Sequence, residues 1–159
     1  MLLDAIRRPD APPASLKKMD AYAVRYPTNV IDIARALCDV VALHFKAGTE
    51  GSRTDLPPTL HFSAMEAMSK YDMSMVLARV WDGVHSELAP DADQIATTEF
   101  LDPEYEVDPS AATSRPRHCK LDLSVIKDLG ISTECVGFET WWKEYLSEVS
   151  IGVTSLREG

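Results

Sequence analysis

The stretch from Tyr22 to Ala34, YAVRYPTNVIDIA, constrains this chain more than any other. Pro27 has a fixed φ and restrains Tyr26 to extended backbone, so the helix that follows begins only after it. Thr28 stands where its hydroxyl can cap that helix, and Asp32, in the first turn, complements the positive end of the helix dipole. A helix over about residues 29–46 is then amphipathic. Val30, Ile33, Ala34, Leu37 and Val41 lie on one face at helical spacing, and Asp32, Arg35 and Asp39 lie on another. Arg35 sits three residues after Asp32 and four before Asp39, within reach of both.

On either side the pattern alternates between proline-rich loops and short elements. Residues 2–8, LLDAIRR, read as a short helix that stops before Pro9, and Pro9, Pro12 and Pro13 make the next stretch a loop. After the 29–46 helix, Gly48, Gly51, Pro57 and Pro58 mark a flexible connection. Thr59–Ser63, TLHFS, alternates as a short strand does, with His61 in a structural or solvent-facing position. The best-specified helix spans residues 70–82. Ser69 and Asp72 form a capping box, Met68 can staple onto Met73, and Gly83 is placed to end it. Met73, Val76, Leu77, Val80 and Trp81 form its core-facing stripe.

Charge then changes sign abruptly. From Asp91 to Asp108 there are seven acids and no base, a solvated loop without the central glycine of a calcium-binding hand. SRPRHCK follows and places Arg115, Arg117, His118 and Lys120 together, a cluster that either binds a diphosphate or pairs with the acidic loop. Asp122 caps a short helix that Gly130 closes. Last, residues 138–149, FETWWKEYLSEV, form an amphipathic helix with Phe138, Trp141, Trp142, Tyr145, Leu146 and Val149 facing one way.

A length of 159 residues suits one ordinary domain, and the formal charge of −9 disfavours nucleic acid and anionic membrane surfaces as partners. No apolar run approaches the roughly 20 residues that span a bilayer. The N-terminus carries Asp4 and no long apolar core, unlike a signal peptide. Cys38, Cys119 and Cys135 are odd in number and widely spaced, which suits free thiols in a reducing cytoplasm.

Four blocks, RYPTNVIDIA, LHF with SKYDM, RPR with LD, and DLGI, occur in one order over residues 20–131. Together they resemble the second half of the dTDP-4-dehydrorhamnose reductase family of extended short-chain dehydrogenases. The branch they resemble most is the regulatory (beta) subunit of methionine adenosyltransferase. The resemblance implies an α/β fold: the C-terminal portion of a Rossmann-like domain with a small substrate-binding lobe, mostly helical with few short strands. Residues 1–159 would then be a single partial domain, the reductase-like substrate-binding half without its dinucleotide-binding half.

The chemistry of such reductases is missing from the residues themselves. Gly48 and Gly51 make only G-x-x-G, with Thr54 where a third glycine would fall, and they follow a helix rather than a strand. None of the five tyrosines has a lysine four positions on, and there is no G-x-S-x-G, H-E-x-x-H or C-x-x-C. The expectation is therefore a non-catalytic chain without a cofactor, although full-length relatives of the resembled family use NADP. Its function would be regulatory, in S-adenosylmethionine synthesis, with the methionine adenosyltransferase catalytic subunit as partner. The alternative is a sugar-nucleotide-binding lobe in which Arg115 and Arg117 grip the diphosphate. In the resembled subunits the C-terminal tail contacts the catalytic subunit; here that is Ser150–Gly159, read as an extended tail anchored by Ile151, Val153 and Leu156. Self-association is also expected, because the strand at 59–63 and the apolar stripes of the 70–82 and 138–149 helices would lack cover.

Overall fold

The computed structural model describes residues 2–7, 9, 13, 15–45, 55–88, 90, 93, 96–106 and 116–157, with side chains described as far as Val149. Among these the chain is mixed α/β: α1 (Leu2–Ile6), β1 (Lys17–Asp20), α2 (Val30–Phe45), α3 (Lys70–Leu88), β2 (Leu101–Glu104), α4 (Ser124–Asp128) and α5 (Phe138–Arg157). It divides into two compact units built from separated stretches. One comprises Met1–Arg25, Ala67–His118 and Gly137–Gly159, and the other Tyr26–Glu66 and Cys119–Val136.

In the first unit β1 and β2 pair in parallel, from Lys17 opposite Leu101 to Asp20 opposite Glu104. The pleat sends Met19 and Leu101 into the core and leaves Lys18 and Glu104 outside as an ion pair of 2.9 Å. Pro103 cannot donate to a ladder, which suits a short strand with a single partner. α3 is the spine of this unit and packs against α1, β1 and α5. Ile6, Met19, Leu77, Ala78 and Leu101 are buried together, with Trp81, Phe138 and Trp142 against them. The α3 stripe is therefore covered, and Phe138 and Trp142 of α5 with it, contrary to the expectation that both stripes lack cover, while Tyr145 and Val149 of α5 stay exposed.

The capping box at the start of α3 is formed as read. The Asp72 carboxylate accepts from the Ser69 amide at 2.8 Å, and the Asp72 amide donates to the Ser69 hydroxyl at 3.0 Å. The end of α3 is not where Gly83 suggested, because the helix continues to Leu88. Val84 is buried and extends the stripe of Leu77 and Val80 by one turn. Burying it outweighs the cost of about 1 kcal/mol for a glycine inside a helix.

In the second unit α2 and α4 share a small core of Leu123, Ile126 and Ile131 with Val40, Leu43 and Phe62. The cap of α2 is Asn29, whose side-chain oxygen accepts from the Ile31 amide at 2.8 Å. Thr28 does not cap, since its hydroxyl accepts from the Ala64 amide and donates to the Tyr26 carbonyl, both at 3.0 Å. Thr59–Ser63 forms no strand: it finds no ladder partner among the described residues. Asp122 does not cap α4 either. It lies one residue before the N-cap Leu123 and folds a turn by accepting from the Ser124 amide and hydroxyl at 2.9 and 3.0 Å.

The end of α4 follows the sequence closely. Gly130 has φ +76, its amide donates to the Lys127 carbonyl at 2.8 Å, and the Ile131 amide donates to the Ile126 carbonyl at 3.3 Å. Those two bonds make a Schellman motif, with Ile126 and Ile131 in apolar contact behind it. A Cβ on Gly130 would meet nothing within 4 Å, so substitution strains only the backbone. Gly130→Ala should cost about 1–2 kcal/mol and Ser69→Ala about 1 kcal/mol, each read as a shift of the denaturation midpoint at unchanged slope.

Candidate binding site

The Tyr22–Arg25 segment of the first unit is pinned on two sides. The Val24 amide donates to the Arg117 carbonyl at 2.7 Å, and Arg25 and Met68 exchange two backbone bonds of 2.9 Å. The turn that leads from β1 into it is made by Asp20, which accepts from the Tyr22 and Ala23 amides at 3.0 and 2.9 Å and faces Arg25 at 3.4 Å. Burial alone would raise the Asp20 carboxyl. The Ala23 and Tyr22 amides and the Arg25 charge outweigh it and hold the group below the ordinary carboxylate range.

Arg117 lies over Tyr22, with its guanidinium carbon 5.7 Å from the ring centroid. Such stacking holds the planar fork in place without using its donors. Among the described residues Arg117 forms no ion pair. The Nε of Arg25 nearby is buried without a partner. Arg115 lies outside the described residues, as do Asp91 and Asp108 of the acidic stretch and Gly48 and Gly51.

Sequence reasoning missed an open groove of about 510 Å³ in the second unit. Leu121, Leu123 and Met65 supply its apolar wall, and Lys120, Lys127, Asp122 and Ser124 its polar one. Ser124's amide and hydroxyl hold the Asp122 carboxyl below its usual range, with smaller help from His61 and Lys127. The signal was two lysines flanking an L-D-L run, too common a pattern to single out.

No group of three or more His, Cys, Asp or Glu among the described residues is placed to hold a metal. Cys135 is an unactivated thiol, pushed up by burial first and by Asp32 second, against the opposing Arg35 charge. Among the described residues Gly83 and Gly152 are inside α3 and α5, Gly130 follows α4 and Gly137 precedes α5, so none of these joins a strand to a helix.

The chain end differs from expectation. Residues 150–157 are helical and continue α5, so the segment carrying Ile151, Val153 and Leu156 is not an extended tail. Their side chains lie outside those described. Within α5, Trp141 and Tyr145 stack at 5.1 Å with rings 8° apart, while Trp142 turns into the core.

No family model matches the chain. Individual proteins do. Methionine adenosyltransferase 2 subunit beta of Mus musculus is 30% identical over 130 residues, 80% of this chain and 32% of that protein. The subunit of Bos taurus is 30% identical over 71% of the chain, and that of Danio rerio 28% identical over 76%. The chain is a relative of the methionine adenosyltransferase 2 beta subunit. It spans about a third of the length of the beta subunits it matches, 28–32% in these three. The resemblance seen in the four sequence blocks is thus met for the beta-subunit branch.

The Asp20 turn yields a pH dependence. A carboxyl depressed on folding adds stability above its unfolded value, and that stability is lost as pH falls through the folded one. Asp20→Asn should therefore cost about 1–2 kcal/mol at neutral pH. The gap from the parent chain should narrow as pH falls below the ordinary aspartate range, read by chemical denaturation at each pH.

Proposed function

We propose that this chain is a non-catalytic interaction module of S-adenosylmethionine synthesis that binds a methionine adenosyltransferase catalytic subunit. The observation that carries this reading is the 30% identity to beta subunits over 80% of the chain. Its residues also include no Tyr-x-x-x-Lys and no glycine-rich turn after a strand, the parts a short-chain reductase uses to move a proton and seat a dinucleotide. The C-terminal stretch after Val149, a continuation of α5, is the proposed anchor. A helix already formed loses less backbone entropy on docking than an extended tail, about 1–2 kcal/mol for each residue otherwise fixed. Capture by the catalytic subunit should fall about tenfold when the chain ends at Val149, ~1.4 kcal/mol. Equal capture of both forms would exclude the anchor, and capture of neither would overturn the function.

A second reading, a sugar-nucleotide-binding lobe of a reductase-like protein, draws support from Arg117 held over Tyr22 with its fork open. Calorimetry separates the two. The interaction module should show no micromolar binding of NADP, NAD or a dTDP-sugar. Micromolar dTDP-sugar binding that Arg117→Ala abolishes would favour the lobe instead.

A further inference from the structure

We propose, resting on the reading of the chain as an interaction module, that the α5 face from Trp141 to Val149 is a second docking element, which enters a basic-rimmed apolar cleft on the catalytic subunit. It lies before the stretch that follows Val149 and carries the capture that remains when that stretch is removed. Two sides of α5 are already used within the first unit. Trp142 lies against the core of Ile6, Met19 and Leu77. Glu139 accepts from Arg79 at 2.7 Å, and Lys143 stands 3.8 Å from Glu87, so these charges are balanced by α3. The row left over is Trp141, Tyr145 and Val149, at i, i+4 and i+8. Tyr145 is 43% exposed and Val149 45%, with Trp141 half-buried beside them.

The row is rigid before anything binds. Trp141 and Tyr145 stack, and Trp142 stands edge-on to both, 5.0 and 5.8 Å away with rings 86° and 90° apart. The outer pair is thus braced from inside by a core residue and loses little rotamer freedom on docking. Tryptophan and tyrosine held in this way carry most of the binding energy at protein interfaces, and an apolar row at this spacing is what a helix lays into a groove. The neighbouring row tells the chemistry of the partner. Glu144 and Glu148 are exposed, four residues apart, at a spacing where like charges repel. Neither forms an ion pair among the described residues, unlike Glu139 across the helix. Lysine or arginine on the rim of the partner's cleft turns that repulsion into attraction. A second copy of this chain fits poorly, since it brings the same two acids and a formal charge of −9 to the contact. An anionic lipid surface is repelled in the same way.

The test measures binding of the full chain to the methionine adenosyltransferase catalytic subunit. Tyr145→Ala should weaken it about tenfold. Glu144→Lys combined with Glu148→Lys should also weaken it about tenfold, and should flatten the loss of affinity that the parent chain shows from about 50 to 300 mM salt. Circular dichroism should show unchanged helix content in both variants, since the substituted side chains are exposed. In the chain that ends at Val149, Tyr145→Ala should weaken the remaining capture by the same factor. Binding of the parent chain that neither variant weakens would overturn this docking element while leaving the interaction module in place. Binding that is indifferent to salt, or tightened by the two lysines, would overturn the basic rim and the proposal with it. No binding of the parent chain would overturn the module and the docking element together.

Discussion

Arg35 reaches carbonyls 97 and 99 residues further along the chain, those of Ser132 and Glu134, and the second unit takes its form from that reach. The same guanidinium stands 5.9 Å from the centre of the Phe62 ring and beside Asp39 at 3.5 Å. Asp32 completes the strap through the Val136 amide. Hydrogen bonds from a charged donor contribute about 1.5–3 kcal/mol where shielded, and less here, because the Arg35 side chain is about a third exposed. Their effect on orientation is larger than their energy. They turn the polar face of α2 toward the 132–136 backbone and commit the helix to presenting Leu37, Val41 and Phe45 outward.

The first unit is held by other means. Its two strands are four residues each, too short to stand without the apolar layer of α1, α3 and α5 over them. Across the surface of α3 and α5, Arg79 makes a forked pair with Glu139 at 2.7 and 3.3 Å, and Lys143 approaches Glu87 at 3.8 Å. These pairs are exposed and contribute at most about 1 kcal/mol each. Burial of Leu77, Val80, Val84 and Trp142 decides the packing.

What could be read from the sequence was what depended on near neighbours. The Ser69–Asp72 capping box and the Gly130 closure of α4 are each complete within a few residues, and both formed as read. Thr28, Gly83 and Thr59–Ser63 were misread for one reason: distant partners decided them. The Thr28 hydroxyl was taken by the Ala64 amide, Gly83 was carried through by the burial of Val84, and the TLHFS stretch has no strand to pair with among the described residues. For α2 the periodicity showed the two faces correctly, but orientation depended on backbone groups of residues 132–136 that no local pattern reveals. Of the candidate site, Arg117 was legible from its charge cluster. Its seat over Tyr22 and the groove beside Lys120 and Lys127 came only from the fold.

The relation to methionine adenosyltransferase beta subunits and the outward face of α2 bear on the same question, since the proposed role in binding would need a surface to present. Whether α2 offers such a surface rests on its being turned as Arg35 turns it. Thiol labelling followed by peptide mapping measures this directly. At high dilution Cys38 should label as fast as an unfolded cysteine while Cys135 stays protected, and Arg35→Met should erase the difference. A slow Cys38 and a fast Cys135 in the dilute parent chain would mean that α2 faces the other way, and would contradict the account.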